Sequence, residues 1–229
     1  MKTEIVAHRG ITHLAPENTL PALHYAWKRN ISVEIDVRLT KDKKIVAFHD
    51  SHTKRLLGTK WHVNKIPLKT LISRKIVFSD QNISPLAEIL KKLPKGPRLF
   101  IEIKCGNEII PLLKECLLDV ACNKLNQIAI ISFNLNTLAK CIDEEIKTKF
   151  YWTGAKVRNP KLVPIDGFLC RYVSEESINI AHEQGYEIYA WTVNSYNEAY
   201  RLINLGVNGI VTDRALQIME FLKKRINLE

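Results

Sequence analysis

Short apolar runs alternate with longer amphipathic segments along almost the whole chain. Eight runs are strand-like: IVAH, VEIDV, LFIEIK, IAIIS, FYW, GFLCRY, IYAWTV and GIVTD. Four segments have apolar residues at helical spacing: residues 19–30, 108–123, 175–184 and 197–205. Gly185 and Gly206 follow the last two segments and are expected to be helix C-caps. This alternation predicts an α/β fold, a (β/α)8 TIM barrel, with a doubly wound open sheet as the second choice.

One segment departs from the strand–helix alternation. In VRLTKDKKIVAFHD, residues 37–50, a turn at residues 41–43 joins two extended runs. Because so short a link cannot cross between parallel strands, residues 44–48 should fold back as a β-hairpin over the barrel mouth. Residues 51–85 lack a sustained period and are expected to form a small irregular insertion over the same C-terminal face. No linker or repeat divides the chain, so residues 1–229 are interpreted as a single domain.

The composition is that of an ordinary globular protein. The apolar fraction of 46% can form a core, and the net charge of +10 fits an anionic ligand as well as it fits a solvated lysine-rich surface. No stripe of basic and aromatic residues favours nucleic acid, and no signal peptide or membrane-spanning run is evident. Five cysteines without a C-x-x-C motif predict neither disulfides nor a zinc site, so a cytoplasmic location is expected.

Carboxylates collect on two of the predicted strands. Strand alternation places Glu34 and Asp36 on one face of VEIDV and their apolar neighbours on the other, which favours an internal strand over a solvated edge strand. Glu102 and Lys104 share a face of LFIEIK in the same way. Three carboxylates without thiolates are the ligand set of a hard divalent cation, Mg²⁺ or Ca²⁺. Lys104 is either the ion-pair partner of Glu102 or a contact of a bound phosphate.

Two histidines each end an apolar run. His8 and His49 have this context, whereas the other histidines fall in loops or on helix surfaces. A pair of imidazoles beside a metal-bound phosphoryl group can serve as general base and general acid. Taken singly, each is more often a structural histidine.

Nine motifs, spread over nearly the whole chain, together resemble the glycerophosphodiester phosphodiesterase family, which is similar to the phosphoinositide phospholipases C. They are HRG at residues 8–10, PENT at 16–19, EIDV at 34–37, TKD at 40–42, HD at 49–50, EIK at 102–104, SF at 132–133, WTVN at 191–194 and GIVTD at 209–213. The chain departs from the family pattern at Lys43, where Gly is common, at Asn208, where Asp is common, and at Ala215, where Pro is common.

The resemblance implies a barrel enzyme with a metal site at the carboxyl ends of its strands. It assigns the metal to Glu34, Asp36 and Glu102, acid–base catalysis to His8 and His49, and phosphate contacts to Arg9 and Lys104. With it, Glu17 is expected to orient Arg9, and Trp191 is a candidate wall for the glycerol carbons, although a strand tryptophan is more often core.

The implied activity is metal-dependent hydrolysis of glycerophosphodiesters to sn-glycerol 3-phosphate and an alcohol, in lipid and glycerol metabolism. A lysophospholipase D-like enzyme would share the metal site but needs an apolar channel or membrane-facing surface. A non-catalytic anion-binding barrel is the alternative of another class, disfavoured because all three carboxylates and both histidines are present. The expected partner is a small-molecule substrate, without nucleic acid or stable membrane insertion, and the expected state is a monomer or homodimer.

Overall fold

Within residues 3–226, which the computed structural model describes, eight parallel strands close into a barrel. The strands are β1 Glu4–His8, β2 Ser32–Leu39, β3 Ile45–Ala47, β4 Leu99–Ile103, β5 Ile128–Ser132, β6 Lys149–Gly154, β7 Gly167–Cys170, β8 Glu187–Ala190 and β9 Gly209–Thr212. The barrel runs β1-β2-β4-β5-β6-β7-β8-β9 and closes by parallel pairing of β9 with β1. The predicted TIM barrel is confirmed, and each of the eight apolar runs contributes one barrel strand.

Helices surround the barrel. They are α1 Leu20–Trp27, α2 Lys54–Leu57, α3 Leu68–Ile72, α4 Leu86–Lys92, α5 Ile110–Ala121, α6 Leu135–Asp143, α7 Glu175–Glu183, α8 Tyr196–Asn204 and α9 Ala215–Ile226. The four helices expected from the apolar spacing correspond to α1, α5, α7 and α8, with ends that differ by up to three residues. Gly185 and Gly206 follow α7 and α8 with φ angles of +78° and +87°, the left-handed conformation of a helix C-cap.

The connection between β6 and β7 differs from the other crossovers. Residues 155–166 contain no helix. Pro160 and Pro164 lack the backbone N–H that a helix interior requires, and Lys161 between them has a φ of +58°. One strand–helix unit of the barrel is therefore incomplete. None of the described helices is both long and apolar enough to cross a membrane.

The predicted hairpin is present at the end of β2. β3 pairs antiparallel with β2, with Val37 opposite Ala47 and Leu39 opposite Ile45. The insertion of residues 51–85 follows, and its α2 and α3 enclose a separate apolar cluster. That cluster is Val46, Phe48, Leu56, Val63, Ile66, Leu71, Ile76 and Ile83. The Ala47 N–H donates to the Ser84 carbonyl at 2.9 Å, so both ends of the insertion are held beside the barrel mouth.

The barrel interior is layered. Its middle layer is mostly apolar: Val6, Phe100, Ala129, Ile131, Tyr151, Leu169, Tyr189 and Val211. The alternate residues of β2, such as Ile35, instead pack outward against helices including α4. Glu34 and Asp36 therefore face inward at the carboxyl end of the barrel, as the strand alternation predicted.

Candidate active site

Strand register brings three carboxylates together at the barrel mouth. Asp36 of β2 is the direct neighbour of Glu102 on β4, and Glu34 is the direct neighbour of His8 on β1. One oxygen from each of Glu34, Asp36 and Glu102 lies within 4.8 Å of the other two. All three side chains are buried, with exposed fractions of 2%, 0% and 8%. These oxygens could hold a metal ion.

The electrostatics of this triad fit a cation. Burial raises the pKa of Glu34 well above its usual value, and the negative charges of Asp36 and Glu102 raise it further. Burial also raises the pKa of Glu102, against the opposing charge of Lys104. The buried Oε1 of Glu34 accepts no hydrogen bond from the described residues. An unpartnered carboxylate oxygen within an all-oxygen donor set suits a hard divalent ion such as Mg²⁺ or Ca²⁺.

Two basic side chains flank Asp36. The Lys104 Nζ lies 2.5 Å from Glu102 Oε1 and 3.5 Å from Asp36 Oδ1, and the Arg9 Nε lies 3.0 Å from Asp36 Oδ2. The ion pair between Lys104 and Glu102 is thus present, and the same ammonium also lines the cavity at the mouth. Arg9 donates to Glu17 Oε1 at 3.1 Å, the contact expected of a residue that orients Arg9.

The backbone after β1 turns sharply to bring Arg9 to the mouth. Arg9 and Gly10 have φ angles of +58° and +87°. A Cβ at Gly10 would lie 2.7 Å from the Ala22 carbonyl carbon of α1, so only glycine allows this close packing. Asn18, with φ +58°, then holds Asp36: its amide donates to Oδ2 at 3.0 Å, and its Oδ1 accepts from the Asp36 N–H at 3.1 Å.

Each of the two predicted histidines is oriented by a carboxylate. The His8 Nδ1 lies 2.7 Å from Asp213 Oδ1, and its Nε2 lies 3.8 Å from Glu34 Oε2. The His8 hydrogen bond lowers the pKa of Asp213, as does the hydrogen bond that Asn194 donates to Oδ2 at 2.7 Å. The His49 Nδ1 lies 2.8 Å from Asp50 Oδ1. In both cases the carboxylate bonds Nδ1 and fixes the ring, so Nε2 is not used in that pair.

Four residues that contact the candidate site had no predicted role: Asn18, Asp50, Asn194 and Asp213. Each falls within a motif of the resemblance, in PENT, HD, WTVN or GIVTD. Asp50, Asn194 and Asp213 also follow strands closely, where side chains reach the mouth of a barrel. A polar residue just beyond an apolar run was therefore the signal that could have identified them.

A cavity of about 250 Å³ opens above the triad and has two unlike sides. Its polar side comprises His8, Arg9, Glu34, His49, Glu102 and Lys104, and its other side Ile131, Phe133, Thr153, Leu169, Trp191 and Val211. Trp191 donates its indole N–H to the Leu169 carbonyl at 3.1 Å and meets Phe133 edge to face at 5.5 Å. It is thus fixed as a wall of the cavity. A larger cavity, about 530 Å³, lies around Glu4 and Arg98 at the opposite end of the barrel, away from these groups.

Buried carboxylates, two histidines and two basic side chains lie around one cavity at the carboxyl ends of the barrel strands. The protein is a TIM-barrel enzyme with a site suited to phosphoryl chemistry.

Comparison with known proteins gives the family. The model of the glycerophosphoryl diester phosphodiesterase family matches residues 8–217. The chain belongs to this family, is a phosphoric diester hydrolase and acts on glycerophosphodiesters.

Individual relatives agree with the family match. A glycerophosphodiester phosphodiesterase of Caldanaerobacter subterraneus subsp. tengcongensis is 26% identical, over 98% of this chain and 99% of its own. A lysophospholipase D of Rattus norvegicus is 23% identical, over 95% of this chain and 85% of its own. The structure of an Oleispira antarctica phosphodiesterase in complex with the product sn-glycerol-3-phosphate has a TM-score of 0.89 at 24% identity, covering 97% of each chain.

Proposed function

We propose that the protein hydrolyses glycerophosphodiesters to sn-glycerol 3-phosphate and an alcohol by metal-dependent, two-histidine acid–base catalysis. The observation that carries this proposal is the position of His8 and His49, each with a carboxylate partner, on the cavity that Glu34 and Glu102 of the buried triad also line. The Oleispira antarctica phosphodiesterase, which has the same fold, binds sn-glycerol-3-phosphate. This product supports the proposal that the phosphate stays on glycerol and that the alcohol is the leaving group.

Glu34, Asp36 and Glu102 would hold one divalent cation, Mg²⁺ or Ca²⁺. When bound, such a cation supplies Lewis-acid stabilisation of the phosphoryl oxygens. Asn18 holds Asp36 through two hydrogen bonds, one to the carboxylate Oδ2 and one from the Asp36 backbone N–H. Burial makes an uncompensated charge on these acids costly, and their mutual repulsion favours binding of a cation.

His8 is proposed as the base and His49 as the acid. His8 takes the proton of the nucleophile, which is water or the substrate's own glycerol hydroxyl, and Asp213 stabilises the resulting imidazolium. Attack by the glycerol hydroxyl expels the alcohol and gives a cyclic phosphate first, which water then opens to sn-glycerol 3-phosphate. The 3.8 Å separation of His8 Nε2 from Glu34 Oε2 supports this choice, since it places His8 beside the triad. His49, paired with Asp50, then protonates the departing alcohol oxygen.

The remaining side chains bind the substrate. Arg9 and Lys104 contact the phosphate, because both cations line the polar side of the cavity. Glu17 holds the Arg9 guanidinium by a hydrogen bond of 3.1 Å. Trp191, on the apolar side, packs against the glycerol carbons. The polar side of the cavity thus takes the phosphate and the other side takes glycerol.

Product analysis with a panel of diesters tests the proposal. We expect sn-glycerol 3-phosphate from glycerophosphocholine, glycerophosphoethanolamine and glycerophosphoglycerol. Lysophosphatidylcholine tests the lysophospholipase D-like alternative, which the half-exposed Phe133 at the apolar side and the Rattus norvegicus relative favour. Exclusive cleavage of lysophosphatidylcholine would replace our proposal with that alternative. Binding of sn-glycerol 3-phosphate without cleavage of any diester would favour the anion-binding barrel.

The cellular setting completes the proposal. The whole chain, residues 1–229, acts as one catalytic domain, as a monomer or homodimer in the cytoplasm. All five cysteines are free thiols, which supports a reducing compartment.

A further inference from the structure

One arginine outside the predicted site joins its two halves. Arg55 donates to Glu17 twice, from Nη1 to Oε2 at 2.6 Å and from Nη2 to Oε1 at 2.8 Å. Its Nε donates to Asp50 Oδ2 at 2.8 Å. Glu17 is also the acceptor for Arg9, and Asp50 is also the partner of His49. A continuous chain of ion pairs and hydrogen bonds therefore runs from Arg9 to His49 through Glu17, Arg55 and Asp50.

The local fold holds Arg55 in place. It lies on α2, where its neighbour Leu56 is buried in the apolar cluster of the insertion. Gly58, with φ +72°, ends this short helix, and its N–H donates to the Lys54 carbonyl at 3.0 Å. Besides the backbone bonds at its ends, the insertion is thereby coupled to the candidate site through the Arg55 guanidinium.

The arginine fork suits this task. Arg55 uses Nε, Nη1 and Nη2 for its two carboxylate partners, a planar arrangement that a lysine ammonium cannot reproduce. Although burial raises the pKa of Asp50, the hydrogen bonds from Arg55 and His49 lower it to about 2. Hydrogen bonds from Arg55 and the charge of Arg9 likewise lower the pKa of Glu17, against the effect of burial. Both carboxylates therefore stay ionised while they orient their partners.

We propose that Arg55 is a positioning residue that fixes the phosphate-binding Arg9 and the proton-donating His49 relative to one another. It acts through Glu17 on Arg9 and through Asp50 on His49. Arg9 and His49 are thereby held in positions from which they contact the same phosphoryl group. This inference rests on the proposed function, because the alignment matters only for a reaction that uses both side chains. Misplacement of a catalytic group by about 1 Å can cost on the order of 100-fold in rate.

Steady-state kinetics of Arg55→Ala and Arg55→Lys test the inference. With glycerophosphoethanolamine we expect Arg55→Ala to lower kcat by about 10- to 100-fold. A glycerophosphodiester with a nitrophenyl leaving group needs no protonation by His49. On this substrate the loss of kcat in Arg55→Ala should therefore be smaller. Arg55→Lys should recover part of the rate. Free guanidinium at millimolar concentration should also rescue Arg55→Ala, since the side chain that it replaces is 45% exposed.

The matched control is Arg74→Ala. Arg74 belongs to the same insertion but stacks on Trp61, 5.3 Å from the ring centroid, and contacts neither Glu17 nor Asp50. This variant should keep the wild-type kcat on both substrates.

Three outcomes would overturn the inference. The first is wild-type kcat in Arg55→Ala. The second is an equal loss on both substrates without recovery by lysine or guanidinium, which would make Arg55 only an anchor of the insertion. The third is a wild type that neither cleaves these diesters nor binds sn-glycerol 3-phosphate in calorimetry, which would overturn the proposed function as well. If the wild type is active and Arg55→Ala keeps its kcat, only the positioning role is overturned.

Discussion

At the scale of single residues, the buried triad combines a functional site with a source of instability. The pKa of Glu34 is raised by burial and then by the charges of Asp36 and Glu102. A carboxyl whose pKa is higher in the folded than in the unfolded protein destabilises the fold at pH values above its unfolded pKa, where folding must desolvate the charge. Without a metal ion, the site therefore costs stability at neutral pH.

The pH dependence of stability in chelator tests this point. We expect the free energy of unfolding to rise as the pH falls from neutral to mildly acidic values, because Glu34 then becomes protonated in the folded state. Below about pH 4 the trend should reverse, because Asp50, Asp213 and Glu17 have lowered pKa values and lose their stabilising charges.

Glu34→Gln is the matching variant. It should stabilise the chelated protein at pH 7 by about 1 to 2 kcal/mol and flatten its pH dependence, while it weakens metal binding. Chemical denaturation in chelator and calorimetric titration with Mg²⁺ measure the two effects. A Glu34→Gln protein that is less stable than the wild type in chelator would show that this carboxylate is structural.

The two histidines are distinguished by leaving group. His8→Ala and His49→Ala should each lose about two to four orders of magnitude in kcat on an alkyl diester. A nitrophenyl diester should largely rescue His49→Ala but not His8→Ala, because nitrophenolate leaves without a proton. Equal losses on both substrates would mean that the histidines position the phosphate, and rescue of His8→Ala alone would exchange the two roles.

At the scale of elements, the turn between β2 and β3 carries an avoidable strain. Lys43 has a φ of +58°, in the left-handed region, at the position where the resemblance to the family pattern would place glycine. A side chain in this conformation costs roughly 1 kcal/mol relative to glycine. The hairpin still forms, held by the Thr40 hydroxyl, which accepts from the Lys44 N–H at 3.0 Å.

Lys43→Gly should therefore stabilise the protein by about 0.5 to 1 kcal/mol, measured by chemical denaturation. The adjacent Lys44 is also exposed but does not have a positive φ. Lys44→Gly, the control, should destabilise the protein slightly because glycine loses more entropy on folding. Stabilisation by both substitutions, or by neither, would contradict the assigned cause.

Elements with a strong local pattern were predictable, and those determined by tertiary contacts were not. The eight strands and the hairpin follow from apolar runs and from a link too short for a crossover. The α2 helix that carries Arg55 has only four residues, Lys54–Leu57, and depends on packing of Leu56 in the insertion. The pairing of Asp213 with His8 joins residues 205 positions apart, so only barrel closure reveals it. The three carboxylates were predictable because each lies on a strand with clear alternation.

At the scale of the whole molecule, the mouth of the barrel and its opposite end, the floor, differ in how their buried charges are paired. At the mouth, one buried oxygen of Glu34 has no hydrogen-bond partner within residues 3–226. At the floor, Arg98 donates to Glu4 at 3.0 Å and to the Tyr151 hydroxyl at 3.0 Å, and its guanidinium lies 5.1 Å from the Phe100 ring centroid. Although burial acts to lower the pKa of Arg98, its bonds to Glu4 raise it overall. The floor is thus a paired, structural network.

Arg98→Ala should lower the free energy of unfolding by about 2 to 3 kcal/mol, because it removes the ion pair with the partly buried Glu4 and the packing of the guanidinium on Phe100. The rate per folded molecule should not change, since Arg98 is remote from the mouth cavity. Arg201→Ala, which removes an exposed pair with Glu198, should cost at most about 1 kcal/mol. A loss of kcat in Arg98→Ala without loss of stability would refute this division between the two ends.

The most direct test of the account is the metal requirement of diester hydrolysis. Wild-type protein freed of metal by chelation is mixed with glycerophosphoethanolamine, and release of sn-glycerol 3-phosphate is followed by phosphorus NMR before and after addition of Mg²⁺, Ca²⁺ or Na⁺. We predict no product before addition, recovery with a divalent ion and none with Na⁺, because three converging carboxylates need a cation to accept the phosphate. Full turnover in excess chelator, with metal content verified as nil, would contradict the proposed site.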